Sequence, residues 1–393
     1  MTDPYKESLP FQIGVFSAIR MVVNTAHRMV YPFLPVFGRG LGIDLPTLSL
    51  ALTTRALVGV FGPFLASVSD SRGRKTGMLL GMVLFTSGVS LVVFNPTFLT
   101  FIIALVFVTL SKYSFDPSMQ AYLGDRIVYR QRGLALAVTE LGWSFSFILG
   151  VPLAGFLIAR AGWMAPFPLL ALLGLLSLLV LFWMLPRDRE VQDGRPSLWH
   201  NFRSVFTSWP AMAGLMVSMF ISTGNEVVNL VFGVWMEDSF GLRIGALGAA
   251  SAVIGFSELG GETLVGILVD RLGKVRSVGL GLALNCAAAL ALPVLGTSLI
   301  GAFVGLFLFY LTFEFTIVST IPLMTEVLPV SRATLMATNV ASHSLGRAAG
   351  AFLAAPIFSL GFYFSALATV LFNLLALISL YLLSRRFMEV ALE

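Results

Sequence analysis

The sequence predicts an all-α membrane protein with twelve transmembrane helices in two six-helix bundles. Three observations carry that prediction. Hydrophobic residues make up 57% of the 393-residue chain and charged residues 11%, with a mean hydropathy of +0.90, whereas soluble domains carry about 25% charged residues. Stretches of 18 or more mostly apolar residues recur along the whole length, and a helix needs about 20 of them to cross a bilayer. A short loop sequence also occurs twice, centred on Asp70 and Asp270, 200 positions apart.

Taken in order, the first span (13–37) is apolar except for a polar set: Arg20, Asn24, His27 and Arg28. At about 100° per residue these and Tyr31 fall on one stripe of roughly 100° of arc. The second span (47–69) holds Arg55, and the third (76–94) holds no ionisable residue. The fourth (98–122) steps through Lys112, Asp116 and Gln120 at intervals of four, and the fifth (134–159) holds Glu140. The sixth (165–185) is uncharged. The seventh (210–236) carries Glu226, and the eighth (244–269) carries Glu258 and Glu262 one turn apart. The ninth (277–296) is uncharged, the tenth (299–323) carries Glu314, the eleventh (334–358) steps through Asn339, His343 and Arg347, and the twelfth (362–384) is uncharged. A charge inside a span costs roughly 2.5 to 3.5 kcal/mol on insertion and therefore faces a cavity or a partner. The eight charged spans are expected to enclose a hydrated path, and the four uncharged ones to support them from outside.

The N-terminal "MTDPYKESLP" lacks a basic n-region and a cleavage site, so the first span is expected to be retained. Placing both termini in the cytoplasm puts seventeen of the 25 Lys and Arg residues on the inner side, against Arg39, Arg160 and Arg243 outside. The expected location is a bacterial inner membrane. These basic residues are dispersed as topology signals and form no continuous stripe, so the pI of 9.6 implies no nucleic-acid partner. Cys286 is the only cysteine, which excludes an intramolecular disulfide.

The longest polar interruption, "LPRDREVQDGRPSLWHNFRSVFTSWP" (185–210), divides the chain into an N-terminal bundle (1–185), a cytoplasmic linker (186–209) and a C-terminal bundle (210–393). Each half carries the same signature between its second and third spans, "ASVSDSRGRK" (66–75) and "GILVDRLGKV" (266–275). Parallel repeats of this kind with a midplane site are one architecture of secondary transporters.

On these residues the chain resembles the major facilitator superfamily, whose loop signature is approximately GxLaDRxGRK. The second copy matches closely, while the first keeps the Asp, Gly and basic residues with Ala66 and Ser71 at two family positions. The resemblance covers essentially the whole chain. It implies that helices 1, 4, 7 and 10 line a cavity, that helices 3, 6, 9 and 12 are outer supports, and that the remaining four gate it. It also implies a conformational latch formed by Asp70, Arg72, Gly73 and Arg74 with Asp125, and by Asp270, Arg271 and Gly273 with Glu326. Two family patterns differ here. The helix-5 stretch "GVPLAGF" keeps only Pro152 and Gly155 of a GPxxGG-like motif, and helix 4 lacks the Arg of an RxxxG context, with Lys112 about two turns further on.

The implied function is a secondary active transporter that moves a small organic solute by alternating access, with proton-coupled efflux of amphipathic or cationic compounds as the leading form. The residues expected to bind substrate or couple protons are Arg20, Asn24, His27, Arg28, Lys112, Asp116, Glu226, Glu258, Glu262, Glu314, His343 and Arg347. His27 and Glu226, at equivalent heights in the two repeats, form a candidate proton-sensitive pair, because a carboxylate in a cavity exchanges its proton as the surroundings change. Phe115, Trp143, Phe232, Trp235 and Phe313 are candidates for an apolar lining. Lys112 with Asp116 reads equally well as a structural intrahelical pair, Glu140 as a partner of Arg130 or Arg132, and His343 as a hydrogen-bonded packing residue.

Other functions remain open on the sequence alone. One is a symporter or uniporter for a nutrient or organic ion. A divalent-metal carrier would use His27, Glu226, Glu314 and His343, and an intramembrane enzyme would use Glu258, Glu262 and His343. No P-loop, HExxH or GxSxG at a strand-to-helix turn is present, which argues against ATP-driven pumping and recognisable hydrolases. The expected partners are the substrate, protons and the lipid bilayer, with no cofactor and no resident metal, and the chain is expected to be a monomer.

Overall fold

The computed structural model describes residues 9–65, 72–127, 129–186, 198–328 and 331–390. All regular structure among them is helical. The elements are α1 (Leu9–Arg28), α2 (Leu34–Leu41), α3 (Leu45–Gly59), α4 (Arg74–Phe94), α5 (Phe98–Arg126), α6 (Tyr129–Phe145) and α7 (Val151–Ala161). They continue with α8 (Pro166–Met184), α9 (Leu198–Thr207), α10 (Trp209–Phe240), α11 (Ile244–Leu272), α12 (Lys274–Leu295), α13 (Leu299–Val327), α14 (Arg332–Phe358) and α15 (Phe362–Val390).

Nine helices among the described residues are long and apolar enough to cross a membrane, with α6 and α7 counted together. The expected spans outside that set are α1 and α14, which carry the polar stripes, and α3, which has only 15 residues. Between α2 and α3 the chain bends by 111°. The Asp44 carboxylate there accepts a hydrogen bond from the Thr47 amide at 3.0 Å and caps α3. That bond holds the exposed Asp44 carboxyl below the usual carboxylate range.

Burial differs among the helices. In α10 78% of the most apolar window is buried, and in α5 and α13 50%, whereas α4, α8, α12 and α15 lie between 22% and 44%, as do α11 at 33% and the α6–α7 span at 44%. Side chains that would be buried in a soluble core are exposed on α8 and α12, as Trp183 and Leu284 show. A lipid-facing helix needs no polar face, because lipid solvates Leu as well as a protein core does.

Contacts divide the chain into two compact units. The first comprises residues 1–42, 61–192 and 243–255; the second comprises 43–60, 193–242 and 256–393. Within the first, an aromatic cluster of Phe37, Phe101, Trp163 and Phe167 packs with centroids 5.1 to 6.5 Å apart. The start of α11 lies against α6 and α7 there: a Cβ on Gly255 would come within 3.0 Å of the Ser144 carbonyl, and one on Gly248 within 3.2 Å of Pro152 Cα. Within the second unit, α10 packs against α14 and α15, and α3 packs against α14, where Ser49 donates to the Ala351 carbonyl. Asn285 ties α12 to α13 and α15: it donates to the Phe309 carbonyl and to Thr312, both at 2.9 Å, and accepts from Asn373 at 2.8 Å.

Candidate functional site

In the first unit, stripes of α1, α5 and α6 meet in an ion network that is buried at Arg20 and opens at Glu140, whose side chain is 42% exposed. Arg20 is 4% exposed; it donates from Nε to Asp116 at 3.1 Å and pairs with Glu140 at 2.8 Å. Lys112 Nζ donates to Asp116 at 2.8 Å, one helical turn away, and to Asn24 Oδ1 at 2.9 Å. Gln120 reaches Glu140 at 3.4 Å. Two cations and two carboxylates thus balance each other inside one unit. Removing both carboxylates would leave the buried Arg20 guanidinium uncompensated, which costs about 3 to 5 kcal/mol. Glu140 meets Arg20 and Gln120, a pairing across 120 positions that spacing along the sequence does not reveal.

Arg28 is held differently. Its guanidinium lies 4.0 Å from the centroid of Trp143 and 3.5 Å from that of Phe147, and it donates to the Trp143 carbonyl at 2.9 Å. Lys112 lies 4.8 Å from the same Trp143 ring. Stacking of this kind uses the planar, delocalised charge that Arg has and Lys lacks. Immediately after Trp143 the chain forms a π-turn, Ser146–Gly150, before continuing as α7. A Cβ on Gly150 would collide with Thr25 of α1, so the turn lies directly against that helix. The π-turn, Trp143 and Phe147 together form an aromatic clamp that the sequence marks only by the helical spacing of positions 140, 143 and 147. His27 is buried on the same helix as Arg28.

In the second unit, Glu226, Glu258 and Glu314 are 4%, 3% and 7% exposed, on α10, α11 and α13 respectively. Asn229 donates to Glu226 Oε2 at 3.2 Å, and Tyr310 donates to Asn229 Oδ1 at 2.8 Å. Glu314 sits where α11 and α13 touch, since a Cβ on Gly261 would lie 2.7 Å from its Cβ; Glu262, half-buried, is the next residue along α11. His343 has Ser222 Oγ 2.8 Å from Nδ1 and Asn339 3.3 Å from Nε2, a fastening between α10 and α14. Arg347 is half-buried one turn further along α14. Among the described residues no group of three or more His, Cys, Asp or Glu side chains is arranged to hold a metal ion.

The candidates for an apolar lining are mostly core residues. Phe115 and Phe232 are fully buried, packed on Phe16 and Tyr310 respectively. Trp235 stacks on Phe362 with centroids 4.0 Å apart.

The two duplicated loops have related geometry. Gly73 and Gly273 stand just before α4 and α12 with φ of +104° and +85°. Arg74 pairs with Asp125 at 3.2 Å, and Lys274 pairs with Glu326 at the corresponding place in the other half. Lys75 donates to the carbonyls of Phe182 and Leu185, both at 2.7 Å, and so caps the C-terminal end of α8. Arg72, Asp270 and Arg271 are exposed, and Asp70 lies outside the described residues. The two ion pairs are solvent-accessible, and each contributes up to about 1 kcal/mol.

An all-α, multi-pass membrane protein with a partly buried ion network and a duplicated interhelical loop is the class that this fold and these sites define. The Major Facilitator Superfamily model matches residues 16–351, and the chain belongs to that family of membrane transporters. It is 27% identical to the MFS-type transporter YceJ of Bacillus subtilis (strain 168), over 87% of this chain and 88% of that one. It is 23% identical to a multi-drug resistance efflux pump PmrA homolog of Lactococcus lactis, over 66% of each chain. Its fold is similar to the crystal structure of a bacterial homolog of the human lysosomal transporter Spinster, with a TM-score of 0.79, 15% identity and 99% of each chain covered.

Proposed function

We propose that this transporter exports amphipathic organic cations by alternating access, in exchange for protons. One observation carries the proposal. In the spanning parts of the second unit, Glu226, Glu258, Glu262 and Glu314 stand against Arg55 and Arg347, with three of the four carboxylates buried. In the first unit, Asp116 and Glu140 balance Arg20 and Lys112 directly. An excess of buried carboxylates suits a cationic solute in one part of the cycle and protons in another. Similarity to a multi-drug efflux pump supports export.

Glu226 and His27 are assigned to the proton, and the four carboxylates of the second unit to the charged part of the substrate. The duplicated loops, including Asp70 and Asp270, are assigned to latching one conformation. The chain acts as a monomer in a bacterial inner membrane with both termini in the cytoplasm. Proteoliposomes supply the test, with tetraphenylphosphonium as the probe cation. A pH gradient should drive tetraphenylphosphonium across the membrane with the parent chain, and Glu226→Gln should reduce the gradient-driven rate at least about tenfold, equivalent to 1.4 kcal/mol. Gradient-driven movement that is unchanged by Glu226→Gln would remove that residue from coupling, and a parent that ignores both the gradient and the cation would refute the export reading.

A further inference from the structure

Resting on the reading of Glu226 as the proton-binding carboxylate, we propose that Asn229 and Tyr310 are its positioning residues. They form a hydrogen-bond chain from α13 to α10 that orients the Asn229 amide and favours the ionised form.

The three side chains form a directed chain. Tyr310 Oη donates to Asn229 Oδ1 at 2.8 Å, and Asn229 Nδ2 donates to Glu226 Oε2 at 3.2 Å. An ionised carboxylate only accepts, so it requires the amide to present its NH2 group. Presenting that group turns the amide oxygen towards Tyr310, whose hydroxyl donates to it. Each bond therefore fixes the direction of the next. When Glu226 takes a proton on Oε1, Oε2 still accepts from Asn229, but as a neutral carbonyl it does so more weakly than as a carboxylate oxygen. The hydrogen bond from Tyr310 fixes the amide with its NH2 group towards Glu226, the orientation that serves the carboxylate.

The surroundings hold the relay in place. Tyr310 is 2% exposed, with edge-on contacts to Phe232 and Phe309 at 6.3 and 5.3 Å between centroids. Gly350 of α14 lets that helix approach Glu226, since a Cβ there would lie 2.7 Å from the Glu226 Cβ. The charged and titratable groups of the elements around Glu226 are Arg347 and His343 on α14, Glu314 on α13 one turn from Tyr310, and Glu258 and Glu262 on α11. Where α15 packs at Gly224, through Thr369 and Phe372, its residues 364–380 include no ionisable side chain. These neighbours are the same in the parent and in a variant that lacks only the Tyr310 hydroxyl.

The test is infrared titration of the purified full chain in lipid nanodiscs, with the protonated-carboxyl band of Glu226 assigned by its loss in Glu226→Gln. In Tyr310→Phe and Asn229→Leu that band should appear at higher pH than in the parent, by up to about one unit, a tenfold change in proton affinity. Tyr122→Phe removes a similarly buried hydroxyl that donates to Gln12 at 3.0 Å in the first unit, and it should leave the titration unmoved. If Glu226→Gln removes no titrating band, the reading of Glu226 fails and this inference falls with it. If the band is present but stays at the parental pH in both relay variants, the inference is overturned while the proton reading stands.

Discussion

At the scale of single residues, the duplicated loop shows what sequence alone makes legible. Gly73 and Gly273 sit at matching places in the two copies, and both have positive φ with ψ of 159° and 145°, a region essentially closed to side-chain-bearing residues. No neighbouring atom lies within 4 Å of the point a Cβ on Gly273 would occupy, so the constraint there is the backbone itself. Gly273→Ala should therefore destabilise the protein by about 1 to 3 kcal/mol. Gly266→Ala, in the helix seven residues earlier and equally uncrowded, should be neutral or slightly stabilising. Thermal unfolding of the two variants in detergent checks this, and equal melting temperatures would contradict it. The partners of single charges were less legible. The spacing of Arg20 along α1 shows its stripe, but its bond to Glu140 depends on how α1 and α6 come together.

At the scale of elements, helical periodicity translated well because each span is a rod, on which spacing determines the face. The π-turn did not translate, since it differs from an α-turn by one residue within a stretch as apolar as its surroundings. Only its contacts distinguish it: Gly150 against Thr25, and Arg28 between Trp143 and Phe147. If Arg28 is the clamp of that turn, Arg28→Leu should cost about 1 to 3 kcal/mol through the lost donor and lost stacking. Arg28→Lys should recover only part of that loss, because an ammonium cannot stack between two rings and also donate within their plane. Thermal unfolding orders the three proteins, and a lysine variant as stable as the parent would show that charge alone suffices. The placement of α3 beside α14, where Ser49 donates to the Ala351 carbonyl, and of the start of α11 beside α6 and α7, also lay beyond sequence reading, because Ser49, Gly248 and Gly255 look like any others in an apolar helix.

At the scale of the whole molecule, the fold was legible from composition, span count and the repeated loop, because a bilayer permits few architectures for such a chain. The polar network of the first unit was legible as stripes on separate helices, and the Tyr310–Asn229–Glu226 relay was not, because neither Asn nor Tyr stands out in a span. The central claim is that buried charge is tolerated here because it meets water rather than lipid during the cycle. Replacing Cys286 by serine removes the only cysteine and leaves a background in which new thiols report solvent access. In that background, Asn24→Cys and Glu226→Cys should react with a membrane-impermeant maleimide although both positions are almost fully buried, while Leu284→Cys, at a site 46% exposed on an uncharged helix, should stay unlabelled. Labelling at position 284 with positions 24 and 226 inert would contradict the account.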